Sequence, residues 1–131
     1  MIQALLKEVE GLGCEVTREG YMLKLHDPSV LTKVHKSKLK EAKMDILQLI
    51  DRQEQARLNG WLVYSYGEAY EMRVGQRNYV YVFAETNGTY TVWRGTFGHE
   101  AYPVREKIII QGVSFEVAFE KATNYVRWVK K

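Results

Sequence analysis

The chain holds one cysteine, Cys14, and only two prolines in 131 residues. A lone thiol closes no internal disulfide and holds no metal by itself, which points to a reducing compartment with Cys14 packed as a small hydrophobe. Long hydrophobic runs are missing too: nothing approaches the ~20 apolar residues that a membrane-spanning helix needs. The opening Met1-Ile2-Gln3-Ala4-Leu5-Leu6-Lys7-Glu8 lacks the charged start, apolar run and small-residue cleavage site of a secretory signal. A cytoplasmic protein with no membrane contact is expected. Neither sign of charge dominates, since 19 Lys+Arg stand against 16 Asp+Glu for a net +3. That balance permits acidic partners without demanding them.

Catalytic patterns are equally scarce. His26, His35 and His99 form no His-x-x-x-His pair, and no Cys-x-x-Cys is present. Gly11-Leu12-Gly13 and Gly95 to Gly98 fit neither the dinucleotide nor the P-loop pattern. The loop from Arg94 to Pro103 offers a His99-Glu100 pair, but no spacing supplies a nucleophile or an orienting partner. A non-catalytic protein with no cofactor and no metal is therefore expected.

What is present is a change of composition. The first 59 residues contain one aromatic, Tyr21, whereas all three Trp, all four Phe and the other eight Tyr follow Gly60. Aromatics suit pleated, half-buried surfaces, so the second half should carry most of the sheet. The expected fold is α+β: a helix, hairpin and helices at 1–58, then an antiparallel sheet with a C-terminal helix at 60–131. Charge does not separate the halves, with ten basic against nine acidic residues before Trp61 and nine against seven from it onward.

Local signals fill in the elements. Ile2, Leu5, Leu6, Val9 and Leu12 recur at helical spacing before Gly13. Residues 14–25 alternate apolar and polar about Glu19-Gly20, the pattern of a β-hairpin. Asp27-Pro28 predicts a short helix to about Lys36, and Ser37 caps a second whose Leu39, Ala42, Ile46, Leu49 and Ile50 share one side. Its polar continuation should stop at Asn59-Gly60. Strands are expected at 61–66, 71–74, 79–84, 90–94 and 105–110, with Asn87-Gly88 as a hairpin turn and a glycine loop after Arg94. Ser114 caps a last helix that buries Phe115, Ala118, Phe119, Ala122, Tyr125, Val126 and Val129.

The order helix, hairpin, short helix, longer helix, with Leu5-Leu6, Gly13, Val16, Gly20, Leu23, Leu25, Pro28, Leu31, Leu39 and the run Lys43-Met44-Asp45-Ile46-Leu47-Gln48-Leu49, resembles the TubC-type N-terminal docking domain of nonribosomal peptide synthetases. The resemblance covers about residues 1–52. It implies that an exposed hairpin edge receives a short linear segment of a partner by strand addition helped by charge pairing. Carried onto this chain, Val16, Arg18, Tyr21, Leu23 and Lys24 would supply the edge and its contacts. No condensation or adenylation domain follows, so the fold transfers better than the biosynthetic role. Similar small modules stand at the front of plasmid- and phage-encoded replication proteins, which suggests a phage or mobile-element accessory protein.

Two surfaces compete with ordinary structural explanations. Lys33, Lys36, Lys38, Lys40 and Lys43 lie within eleven residues, and Lys36, Lys40 and Lys43 would share a helix face able to meet phosphates or carboxylates. A solvated face opposite the leucine stripe accounts for the same lysines, with Glu41 and Asp45 interrupting them. In Tyr79-Val80-Tyr81-Val82-Phe83-Ala84 both faces are apolar, so one is either open or covered by the first half. If open, Tyr79 and Tyr81, with Trp93 or Arg94 beside them and Arg73 and Arg77 at the rim, would make a platform for stacked bases or a protein interface. The sequence favours a two-sided core, since no RNP-type run is present. The leading expectation is a protein partner engaged through the hairpin edge and the aromatic sheet; nucleic acid is the alternative. Oligomeric state is not readable from the sequence.

Overall fold

The computed structural model describes residues 2–99 and 102–130 and shows an α+β protein. Helix α1 (Ile2–Gly11) leads into a hairpin of β1 (Glu15–Glu19) and β2 (Met22–His26), then a 3-10 turn at Pro28–Val30 and helices α2 (Lys33–Glu41) and α3 (Lys43–Leu58). Five strands follow, β3 (Leu62–Tyr64), β4 (Ala69–Arg73), β5 (Asn78–Ala84), β6 (Tyr90–Phe97) and β7 (Pro103–Val113), and α4 (Phe115–Val129) closes the chain. These strands form one antiparallel meander in the order β3-β4-β5-β6-β7, separate from the two-stranded hairpin.

Local sequence chemistry explains most boundaries. Ser114 caps α4 by accepting from the Val117 amide, and Phe115, Ala118, Ala122 and Val126 beyond it are buried. The helix predicted from Pro28 to Lys36 does not form. Asp27 adopts a left-handed φ of 64° with no cap hydrogen bond, and only one 3-10 turn follows. Thr32 starts α2 instead: its side chain accepts from the His35 amide while the His35 ring bonds back to the Thr32 amide. Histidine at the third helical position thus plays the role usually taken by Glu or Gln in a capping box. Ser37, expected as a cap, lies inside α2, and the helix break falls at Ala42. The expected loop after Arg94 is also shorter, because β6 runs on to Phe97 and β7 begins at Pro103. Glu100 of the expected His99-Glu100 pair lies outside the described residues.

Two cores result. Leu6, Val9, Cys14, Val16, Leu31, Leu39, Ile46 and Leu49 form the first. Trp61, Tyr70, Val80, Val82, Tyr90, Val92 and the buried face of α4 form the second, which also takes Ala56 from α3. Helix α3 therefore serves both. Arg52 on α3 reaches Glu116 at 2.8 Å and lies 4.7 Å over the Phe115 ring, and Lys7 pairs with Glu68 at 3.1 Å. In return the β3–β4 turn sends Tyr66 into the first core. That turn runs through three left-handed residues, Ser65, Tyr66 and Gly67 at φ 44°, 58° and 80°.

Candidate binding surfaces

The hairpin pairs Val16 with Leu25, Arg18 with Leu23 and Thr17 with Lys24. Directly paired residues share a face, so Val16, Arg18, Leu23 and Leu25 turn toward α3 while Thr17, Lys24 and Met22 turn to solvent. This redistributes the expected contact residues. Val16 is 7% exposed within the first core, so its side chain is spent on folding. Arg18 is held by Asp51 at 3.7 Å and by Glu54, both on α3, which pins β1 to that helix. Tyr21 and Lys24 are exposed, Tyr21 at 88%, and Lys24 reaches Glu19 at 3.7 Å.

Leu23 lines a cleft instead. Leu23 and Leu25 of β2 face Leu39 of α2 across a space of about 200 Å³, with Met22 at its edge and Lys36, Lys40 and Lys43 on its rim. The three lysines expected to share a face do converge, and around an apolar floor. Lys33, at the first position of α2, is exposed and lies outside this cleft. The cleft itself carried no sequence signal, because it exists only when β2 lies beside α2. Among the described residues β2 has no strand on its other edge.

The second surface is the sheet face opposite α4. Strand pairing sets Arg73, Tyr79, Gly95 and Glu106 in one row and Glu71, Tyr81, Trp93 and Ile108 in the next. Along β5, Tyr79 and Tyr81 stack with centroids 6.2 Å apart, and Tyr81 and Phe83 at 5.3 Å. Trp93 leans on Tyr81 at 5.3 Å, and Phe97 meets Tyr79 edge-on at 5.7 Å. Gly95 is required here by close approach: a Cβ on it would lie 2.5 Å from the Trp93 ring, which roofs the strand. These rings are half-buried, mostly by one another, and belong to neither core. The first half of the chain meets the far end of this face, where Gln3 and Ala4 line a cleft with Phe83 and Ala84. The two-sided core favoured by the sequence is thus corrected to a one-sided one, α4 and the end of α3 covering the valine face alone.

Arg94 is corrected as well. It pairs with Val80, on the face toward α4, and strand alternation separates it from Trp93. Arg73 does reach the rim, held by hydrogen bonds from its guanidinium to the Gly75 and Gln76 carbonyls at 2.9 and 2.8 Å. Arg77 is exposed in the same turn. Glu71 accepts from the Tyr64 hydroxyl at 3.1 Å. Burial, and then hydrogen bonding to Glu71, push the Tyr81 phenol pKa well above the usual tyrosine range.

The remaining candidates are occupied structurally. His35 caps α2 and meets Glu8 at 3.2 Å, and His26 bonds Thr17 at 2.9 Å. Burial pushes the Cys14 thiol pKa up, with the Asp27 charge adding to it, so the thiol stays protonated and unreactive. Among the described residues no group of three His, Cys, Asp or Glu could hold a metal, and no helix is long and apolar enough to cross a membrane. No family model, curated protein or solved structure matches the chain.

Proposed function

We propose that the chain is a non-catalytic docking protein whose cleft between β2 and α2 receives an extended, acidic segment of a partner protein. The observation that carries this reading is the composition of the cleft, an apolar floor of Leu23, Leu25 and Leu39 edged by Met22, under a rim of Lys36, Lys40 and Lys43. An added strand would satisfy the free edge of β2 with main-chain hydrogen bonds. Its apolar side chains would fill the floor, and carboxylates flanking them would meet the lysines at the rim. Docking at a hairpin edge is also what the resemblance of residues 1–52 to the TubC-type domain implies. Nucleic acid fits the same lysines less well, since a phosphate backbone has no use for the leucine floor.

A labelled peptide of leucines flanked by glutamates tests this. It should bind with an affinity that falls as salt rises, shift the backbone amides of Met22 to Leu25 in NMR spectra, and lose binding in the triple variant Lys36→Glu, Lys40→Glu, Lys43→Glu. No binding, or amide shifts away from β2, would refute the reading. So would displacement of the peptide by single-stranded DNA at a lower concentration than by unlabelled peptide.

A further inference from the structure

The aromatic sheet face is left over by that function, and its arrangement points to one occupant. We infer that it docks a second copy of the chain, two sheets packing face to face about a two-fold axis that runs parallel to the strands over the line between β5 and β6.

The first support is the charge pattern. A two-fold in that position lays β5 over the partner copy's β6, and β4 over its β7. In the row Arg73, Tyr79, Gly95, Glu106, the arginine of one copy then faces the glutamate of the other, twice. The next row sets Tyr81 against the Trp93 ring of the other copy and Glu71 against its Ile108, each twice. Two of the Arg73 guanidinium's donors already hold the β4–β5 turn, which fixes its position and leaves donors for a carboxylate. Such reciprocal matching is what an isologous interface requires.

The second support is area. A compact monomer of 15.3 kDa exposes about 7,100 Å². This chain exposes 8400 Å². The excess, about 1,300 Å², is spread over the whole chain and leaves room for the roughly 800 Å² that each partner buries in a standard interface. Tyr79, Tyr81, Phe83, Trp93 and Phe97 are also the residue types enriched at interface centres. Aligned packing of two such faces at about 10 Å makes an ordinary sandwich core.

Nucleic acid is the competing macromolecule for an aromatic platform. On this face Arg73, with Arg77 in the turn beside it, is offset by Glu71 and Glu106, so a phosphate backbone would meet carboxylates as often as cations.

Sedimentation equilibrium of the full chain decides. The wild type should be a dimer, and Trp93→Arg should be a monomer with unchanged circular dichroism. Arg73→Glu and Glu106→Arg should each weaken the dimer by about tenfold or more, and the double variant should recover most of that loss. These are exposed positions, so the swap stays readable even if Trp93→Arg fails to fold. A monomeric wild type would overturn the proposal, as would a dimer indifferent to Trp93→Arg or a charge swap that restores nothing. A monomer that binds oligothymidylate with shifts at Tyr79 and Tyr81 would overturn it in favour of nucleic acid. Peptide binding at the β2 cleft is read separately, and its failure leaves these outcomes unaffected.

Discussion

Replacing Gly67 with alanine measures how tightly the β3–β4 turn is wedged against α3. The residue sits at φ 80°, and a Cβ on it would lie 2.5 Å from the Tyr70 hydroxyl oxygen and 3.1 Å from Leu49 Cδ1. A left-handed alanine costs roughly 1–2 kcal/mol, and forcing a methyl into a packed site costs roughly 1–3 more. The expected loss of unfolding free energy is about 2–5 kcal/mol, a large part of the 5–15 typical of a domain. Because the contact joins α3 to the sheet, the loss should appear in the unfolding of both cores. Tyr70→Phe separates the two costs. The Tyr70 hydroxyl is buried and has no hydrogen-bond partner among the described residues, so its removal alone should be neutral or stabilising. In the double variant the clash with oxygen is gone while the backbone cost remains, and a coupling of about 1 kcal/mol or more is expected. Urea unfolding of the four proteins, followed by tryptophan fluorescence, gives the cycle. If Gly67→Ala costs less than about 1 kcal/mol, or if the two changes add without coupling, the packing argument for this turn is wrong.

Thr32→Ala removes the cap of α2 and frees His35, and should lower stability by about 1 kcal/mol in the same assay. Burial, with a contribution from Tyr90, pushes the Tyr70 pKa well above the ordinary value of about 10. Its contribution is complete below that value and is lost as pH rises toward the folded pKa, so stability should fall on the alkaline side and fall less in Tyr70→Phe. The Glu116 carboxyl is held below its usual range by its helix-start amide and by Arg52. That contribution is present at neutral pH and is lost as pH falls through the folded pKa; in Arg52→Met the acid dependence of stability should flatten.

The elements set by nearby residues were readable from the sequence. α1, the hairpin of residues 14–25, the Asn87-Gly88 turn and the Ser114 cap each rest on chemistry within a few positions, although the hairpin turns at Gly20-Tyr21, one residue later than the alternation predicts. The start of α2 misled because Asp27-Pro28 and Ser37 are stronger local cap signals than Thr32 with a histidine three residues on. Gly95 misled in the same way: it reads as a loop residue, and only the Trp93 ring lying over it shows why a glycine stands inside β6. The candidate surfaces were half visible. Lysine spacing gave the shared face, but the apolar floor comes from β2, and nothing local tells where β2 lies relative to α2. An alternation apolar on both sides of β5 cannot say which side a helix will cover.

Helix α3 begins with Lys43 at the cleft and near its end gives Ala56 to the core beneath the sheet. Its 16 residues make a rod ~24 Å long. In a two-fold pair of chains that rod would fix the spacing and direction of the two clefts. A partner carrying two acidic segments would then bind through both at once, its second arm held at an effective concentration set by the length of this helix.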